Sequence, residues 1–93
     1  MTFEELQKLL IEVITEIQAG SGRPVPEFHA ELRPIGDLEG FDSLNGLEVS
    51  CELSKSLDCD IKPDIMVPDY PWDQLTISEI AGRLQQAVGA QGG

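Results

Sequence analysis

Residues 42–57 read Asp42-Ser43-Leu44-Asn45-Gly46-Leu47-Glu48-Val49-Ser50-Cys51-Glu52-Leu53-Ser54-Lys55-Ser56-Leu57. At about 100° per residue, Val49, Leu53 and Leu57 fall within an arc of about 80°. Leu44, Leu47 and Cys51 fall within a second arc of about 60°, centred roughly 150° from the first. Asp42 is a good N-cap, so the stretch predicts a helix from Asp42 or Ser43 to about Asp58. A helix on the surface of a small bundle needs only one apolar stripe. The second stripe is therefore either covered by a neighbouring loop or left open for docking, with Glu48 and Glu52 on its rim.

Helical signals continue on both sides. Phe3, Leu6, Leu9, Leu10, Val13, Ile14 and Ile17 recur at spacings of three and four, and Thr2 with Glu5 has capping-box spacing. A first helix is expected from about Thr2 to Ala19, stopped by Gly20. Residues 20–41 carry no sustained period and read as a long loop, in which Pro26–Leu32 has room for a turn or two of helix. Val25, Phe28, Leu32, Ile35, Leu38 and Phe41 read as anchors pinning that loop to the core. Beyond residue 58, Pro63, Pro68 and Pro71 leave space for one short helix at Trp72–Leu75. Thr76 and Glu79 form a second capping box, and Ile77, Ile80, Ala81, Leu84 and Val88 the apolar face of a last helix ending at Gly89. The fold class is all-α: a small four-helix bundle with a long first loop and a short third helix. Residues 1–89 form one domain and residues 90–93 a flexible tail.

Composition narrows the function. The 93 residues are 41% hydrophobic and 25% charged, which suits one globular domain with a thin core. Seventeen acids against six bases give a formal charge of -11. That field repels nucleic acid and anionic membranes and steers toward partners with basic patches. No run approaches the ~20 apolar residues of a membrane span, and no basic-then-apolar leader opens the chain, so a cytoplasmic location is expected. Cys51 and Cys59, if on one helix, lie roughly 12 Å apart, too far for a disulfide. Asp58, Asp60, Asp64 and Asp69 lack the spacing of a calcium loop and read as a solvated face. No metal site is expected.

Ser43 stands at the predicted helix start beside the second stripe. A phosphate attached there meets unpaired backbone N–H groups and the positive end of the helix dipole. The sequence supplies no base to activate this serine. The single histidine, His29, lies in the loop, and a serine hydrolase needs a base and an orienting acid. A serine modified by another protein needs only exposure and a suitable surface.

The run Gly40-Phe41-Asp42-Ser43-Leu44 resembles the Asp-Ser-Leu modification motif of the acyl carrier protein family. Leu47-Glu48-Val49 is similar to that family's hydrophobic-Glu-hydrophobic continuation, and the resemblance spans about residues 3 to 88. It implies an acyl-carrier-like bundle with 4'-phosphopantetheine on Ser43, installed from coenzyme A by a phosphopantetheinyl transferase. Acyl groups would ride on the arm's thiol as thioesters in fatty acid, polyketide or related specialised biosynthesis. The chain itself would not be an enzyme. The resemblance further implies that Asp42 flanks the attachment site, and that Leu44, Leu47, Glu48 and Cys51 face acyl-processing enzymes with basic docking patches, to which the stripe's rim adds Glu52. A monomer is expected. Asn45 and Ser54-Lys55 replace acids usual in fatty-acid carriers, so a specialised pathway is as plausible as housekeeping lipid synthesis. The reading from another class is an acidic helical adaptor of the same fold in which Ser43 is only a helix-start residue.

Overall fold

The apolar seam near the N-terminus folds into α1 (Phe3–Gly20), shifted by one residue from the expected Thr2–Ala19, with Thr2 as its N-cap. The computed structural model describes residues 2–67 and 74–92, and every regular element among them is helical. Both halves of the predicted capping box form. The Glu5 N–H donates to Thr2 Oγ1 at 3.2 Å, and the Thr2 N–H donates to Glu5 Oε1 at 2.9 Å. Leu6, Leu10, Val13 and Ile14 turn inward along the predicted stripe, and so does Gln18, whose polar amide no periodicity argument places there.

The first connection contains a helical turn, though not at Pro26–Leu32. It is α2 (Pro34–Asp37), opened by Pro34, whose missing N–H costs nothing at a helix start. The Asp37 N–H donates to the Arg33 carbonyl, and the Asp37 carboxylate accepts from the Arg33 N–H at 2.8 Å. It is a closed turn and not regular helix, because Ile35 (ψ 110°) and Gly36 (φ +117°) inside it both lie outside helical space, the latter in a conformation costly for any residue with a Cβ. Leu32, Leu38 and Phe41 from this connection are buried, and Phe28 and Ile35 pack partly against the core. Val25 does not anchor anything: it is 41% exposed.

Helix α3 (Ser43–Leu57) follows, and α4 (Ile77–Gly92) closes the chain. Asp58 ends α3 in the left-handed conformation at φ +50°, so Cys59 lies beyond the helix rather than on it. Both cysteines are free thiols. Between the two helices, Ile61, Ile65 and Met66 are buried, held by turns in which Ile65 and Val67 donate to the Lys62 and Asp64 carbonyls. Arg83 of α4 secures this segment by donating to the Val67 carbonyl at 2.6 Å. The short helix expected at Trp72–Leu75 falls partly outside the described residues. Its described members, Gln74 and Leu75, are not helical. The small fourth element of the bundle is therefore the second in order, not the third. Helix α4 also continues past Gly89, the residue expected to stop it.

Helix α1 packs against both α3 and α4 and is the spine of the bundle. The start of α4 is fastened twice. Thr76 and Glu79 complete their capping box, and the Ile77 and Ser78 N–H groups donate to the Leu32 and Ala30 carbonyls, both at 2.9 Å. The long first connection thus returns to satisfy amides that a helix leaves open. A radius of gyration of 12.2 Å is what a folded domain of this length has, about 12 Å. Among the described residues, no helix is long and apolar enough to cross a membrane.

Candidate functional site

Asp42 starts α3 as its sequence position predicts. Its carboxylate accepts from the N–H groups of Leu44 at 3.0 Å and Asn45 at 3.3 Å. Its carbonyl accepts the first helical bond, from Gly46. Asn45 reciprocates, its Oδ1 accepting from the Asp42 N–H at 3.1 Å, so an amide fills the place where a glutamate closes the boxes of α1 and α4. These bonds engage the amides of Leu44, Asn45 and Gly46. The Ser43 amide is the one in the first turn that lies outside them.

Ser43 is exposed at this first position of the helix. Among the described residues, no hydrogen bond reaches its hydroxyl from a histidine or a carboxylate, and His29 sits exposed in the first connection. The hydroxyl is accessible without being activated. Asp42 also qualifies the dipole argument. Its carboxylate already occupies the positive end of the helix, so a phosphate on Ser43 would find less unbalanced positive charge than an uncapped helix offers. Exposure is the stronger feature of this position.

The two stripes of α3 separate cleanly. Val49 and Leu53 are fully buried and Leu57 partly so. Leu44 is 67% exposed, Leu47 44%, and Cys51 is exposed beside them. The long first connection does not cover this strip. Between α3 and α1 the strip deepens into an open groove of about 490 Å³ lined by Val13, Glu16, Ile17, Leu47, Glu48, Cys51 and Glu52. Glu16 and Ile17 are contributions of α1 that the sequence reading leaves out. Ile17 belongs to the apolar seam and reads as core, while the structure leaves it half-buried with its free side on the groove. The rim carboxylates differ in their ties. Glu52 pairs with Lys55 at 3.4 Å on the solvent side, and Glu48 accepts from the Asn45 amide at 3.3 Å.

Asn45, 5% exposed, belongs to a buried polar cluster behind Ser43. Arg23, from the start of the first connection, brings Nη1 to Gly40 O at 2.6 Å, Gln18 Oε1 at 3.1 Å and Asn45 Oδ1 at 3.2 Å. Gln18, fully buried, donates its amide to the Glu39 carbonyl at 3.0 Å. The cluster joins the end of α1, the Glu39-Gly40 turn and the first turn of α3. Among the described residues, no group of three or more His, Cys, Asp or Glu side chains stands close enough to hold a metal ion. Compared with known protein families, with curated protein sequences and with solved structures, this chain finds no match in any of the three.

Proposed function

We propose that this chain is a carrier domain of the acyl-carrier type, which holds acyl groups as thioesters on a 4'-phosphopantetheine arm attached to Ser43. The observation that carries this reading is the position of Ser43: exposed at the start of α3, without a base of its own, and beside an uncovered apolar strip with an acidic rim. A residue that does chemistry itself needs a general base within hydrogen-bond reach. A residue that another protein modifies needs access and a surface that the other protein can hold. The residues present fit the arm in that sense. Ser43 Oγ would hold it through a phosphodiester, and the arm supplies a terminal thiol that carries the acyl group.

The partners in this reading are a phosphopantetheinyl transferase and acyl-processing enzymes with basic docking patches. They meet Leu44, Leu47 and Cys51 as the apolar contact and Glu48 and Glu52 as the charged rim. A net charge of -11 steers such partners over distance. The chain acts as a monomer in the cytoplasm and performs no chemistry itself. Incubation with coenzyme A and a phosphopantetheinyl transferase should add the mass of one phosphopantetheinyl group, mapped to the Ser43 peptide and absent from Ser43→Ala. Wild-type protein that stays unmodified overturns the reading and leaves the acidic adaptor, which needs the strip but not the hydroxyl.

A further inference from the structure

The Ser43-bearing turn is short. Its cap consists of Asp42 and Asn45, and the residue leading into it, Gly40, has φ +71°. Three separate pieces of chain converge behind it. The side chain of Arg23 lies along Gly40 so closely that a Cβ on that glycine would sit 2.9 Å from the arginine Cδ. A glycine is therefore required at position 40 for two reasons, the left-handed backbone and the arginine stacked on it. The same guanidinium then reaches Asn45 Oδ1, which also accepts from the Asp42 N–H. Gly40 and Asn45 bracket Ser43 in the chain, three residues before it and two after. One side chain from a distant loop thus holds both ends of the segment that presents the serine.

We propose that Arg23 is a positioning residue for Ser43, and that it fixes the serine by clamping the Gly40 carbonyl and the Asn45 amide group into one arrangement. The inference rests on the proposed modification of Ser43, but its structural half can be tested without it. The clamp is charge-assisted, which makes its bonds stronger than neutral ones, and Gln18 and Asn45 are buried, which makes them costly to break. Arg23 is itself half-buried under the turn, so it acts on the hydroxyl's orientation rather than as a contact for a docking enzyme. Loss of the clamp should leave encounter with the transferase intact and reduce the fraction of encounters in which the hydroxyl is aligned. That signature is a fall in kcat with KM nearly unchanged.

Arg83 provides an internal control. It too is an arginine that donates to a loop carbonyl, but at the Val67 turn rather than behind Ser43. The experiment compares Arg23→Ala and Arg83→Ala with wild type in two measurements below all thermal midpoints. The first is transfer kinetics from coenzyme A. For Arg23→Ala, kcat should fall about tenfold with KM within about twofold, while Arg83→Ala keeps the wild-type rate. The second is amide hydrogen exchange, which needs no modification at all: Leu44 and Asn45 should exchange faster in Arg23→Ala and not in Arg83→Ala. Should Arg23→Ala fail to fold, Arg23→Lys takes its place. Its shorter ammonium spans Gly40 and Asn45 poorly, so it should show the same pattern at a smaller size, about threefold in kcat. Equal effects of the two arginines on rate and exchange would overturn the positioning role. Unmodified wild-type protein with selective exchange at Leu44 and Asn45 would instead sink the carrier reading and leave the clamp standing.

Discussion

Helices α1 and α3 lie against each other, yet they divide their residues between core and solvent in opposite ways. Along α1 the buried positions are large and apolar, with Gln18 the lone exception, and the exposed ones are charged or small. Along α3 the buried positions include Asn45, Gly46 and Ser50, while the exposed ones include Leu44 and Leu47. A helix optimised for stability alone would reverse that choice, burying leucines and exposing polar groups. The small and polar interior of α3 is nevertheless satisfied. Ser50 donates to the Leu47 carbonyl at 2.7 Å, Asn45 binds Arg23 and the Asp42 N–H, and Gly46 faces Met66. Helix α1 holds the fold. Helix α3 uses part of its apolar content to build a surface.

The largest effect should come from testing the two faces of α3 against each other. Leu53→Ala empties a fully buried site and should cost on the order of 2–5 kcal/mol, a large share of what a domain of this size has. Leu47→Ala removes a half-exposed side chain from the groove and should cost less than about 1 kcal/mol. Glu48→Lys should leave the fold nearly intact. Both surface changes should slow attachment of the arm, and the charge reversal should do so less as salt rises, because screening weakens its repulsion of a basic partner. Urea melts paired with modification rates decide this. A Leu47→Ala protein as unstable as Leu53→Ala would remove the contrast between the faces.

A middle-sized effect of opposite sign tests whether the glycine inside α3 is there for packing. An added Cβ at Gly46 would lie 3.7 Å from Met66 Cβ, an ordinary contact. Since glycine inside a helix costs roughly 0.5–1 kcal/mol relative to alanine, Gly46→Ala should stabilise the protein by about that amount. The thermal midpoint should then rise by a few degrees. A lowered midpoint would show that Met66 cannot yield, and that the interior of α3 is small because it must be.

What the amino-acid sequence discloses follows from which forces are local. The seams of α1 and α4 and both Thr-Glu capping boxes are local, with partners three or four residues apart, and they are found where their spacing places them. So are the N-cap at Asp42 and the two stripes of α3. The short α2 has no period to read. It depends on Pro34, on the Asp37 carboxylate reaching back to Arg33, and on Gly36 taking a positive φ inside it, whereas Pro26–Leu32 closes only one turn, from the Leu32 N–H to the His29 carbonyl, and forms no helix. The burial of Gln18 and Asn45 is hidden for a different reason. Each is satisfied partly by Arg23, and Arg23 arrives from a loop 22 residues before Asn45. The α1 wall of the groove was equally hidden, because a half-buried Ile17 has the same period as a buried one.

The smallest effect concerns how the three long helices begin, and pH separates them. In α1, bonds from the Thr2 backbone N–H and then from its hydroxyl hold the Glu5 carboxyl below its ordinary value of 4.5. In α4, the Thr76 backbone N–H and then its hydroxyl do the same for Glu79, with Arg33 and Arg83 adding smaller attractions. A carboxyl whose folded pKa is depressed contributes stability that is fully present above its unfolded pKa, and that is lost as pH falls through the lower folded value. The starts of α1 and α4 should therefore loosen as the protein is taken from about pH 6 to about pH 3. In α3 the group that reaches back to the N-cap N–H is the amide of Asn45, which does not titrate. The carboxylate of that box is the N-cap Asp42 itself, so the contrast is confined to the bond made by the N-cap N–H. The Glu5 and Glu79 carboxylates are essentially fully exposed, so solvent screens the effect and it should appear as fraying rather than as global unfolding. Hydrogen exchange of the Thr2 and Thr76 amides should accelerate relative to that of Asp42 across this range, once corrected for the intrinsic pH dependence. Glu5→Gln and Glu79→Gln keep an acceptor for the threonine N–H but cannot be protonated there, so each should flatten the acid-side change at its own helix only. If all three helix starts loosen together in wild type and in both variants, the boxes are not separate devices, and the bundle responds to acid as one unit.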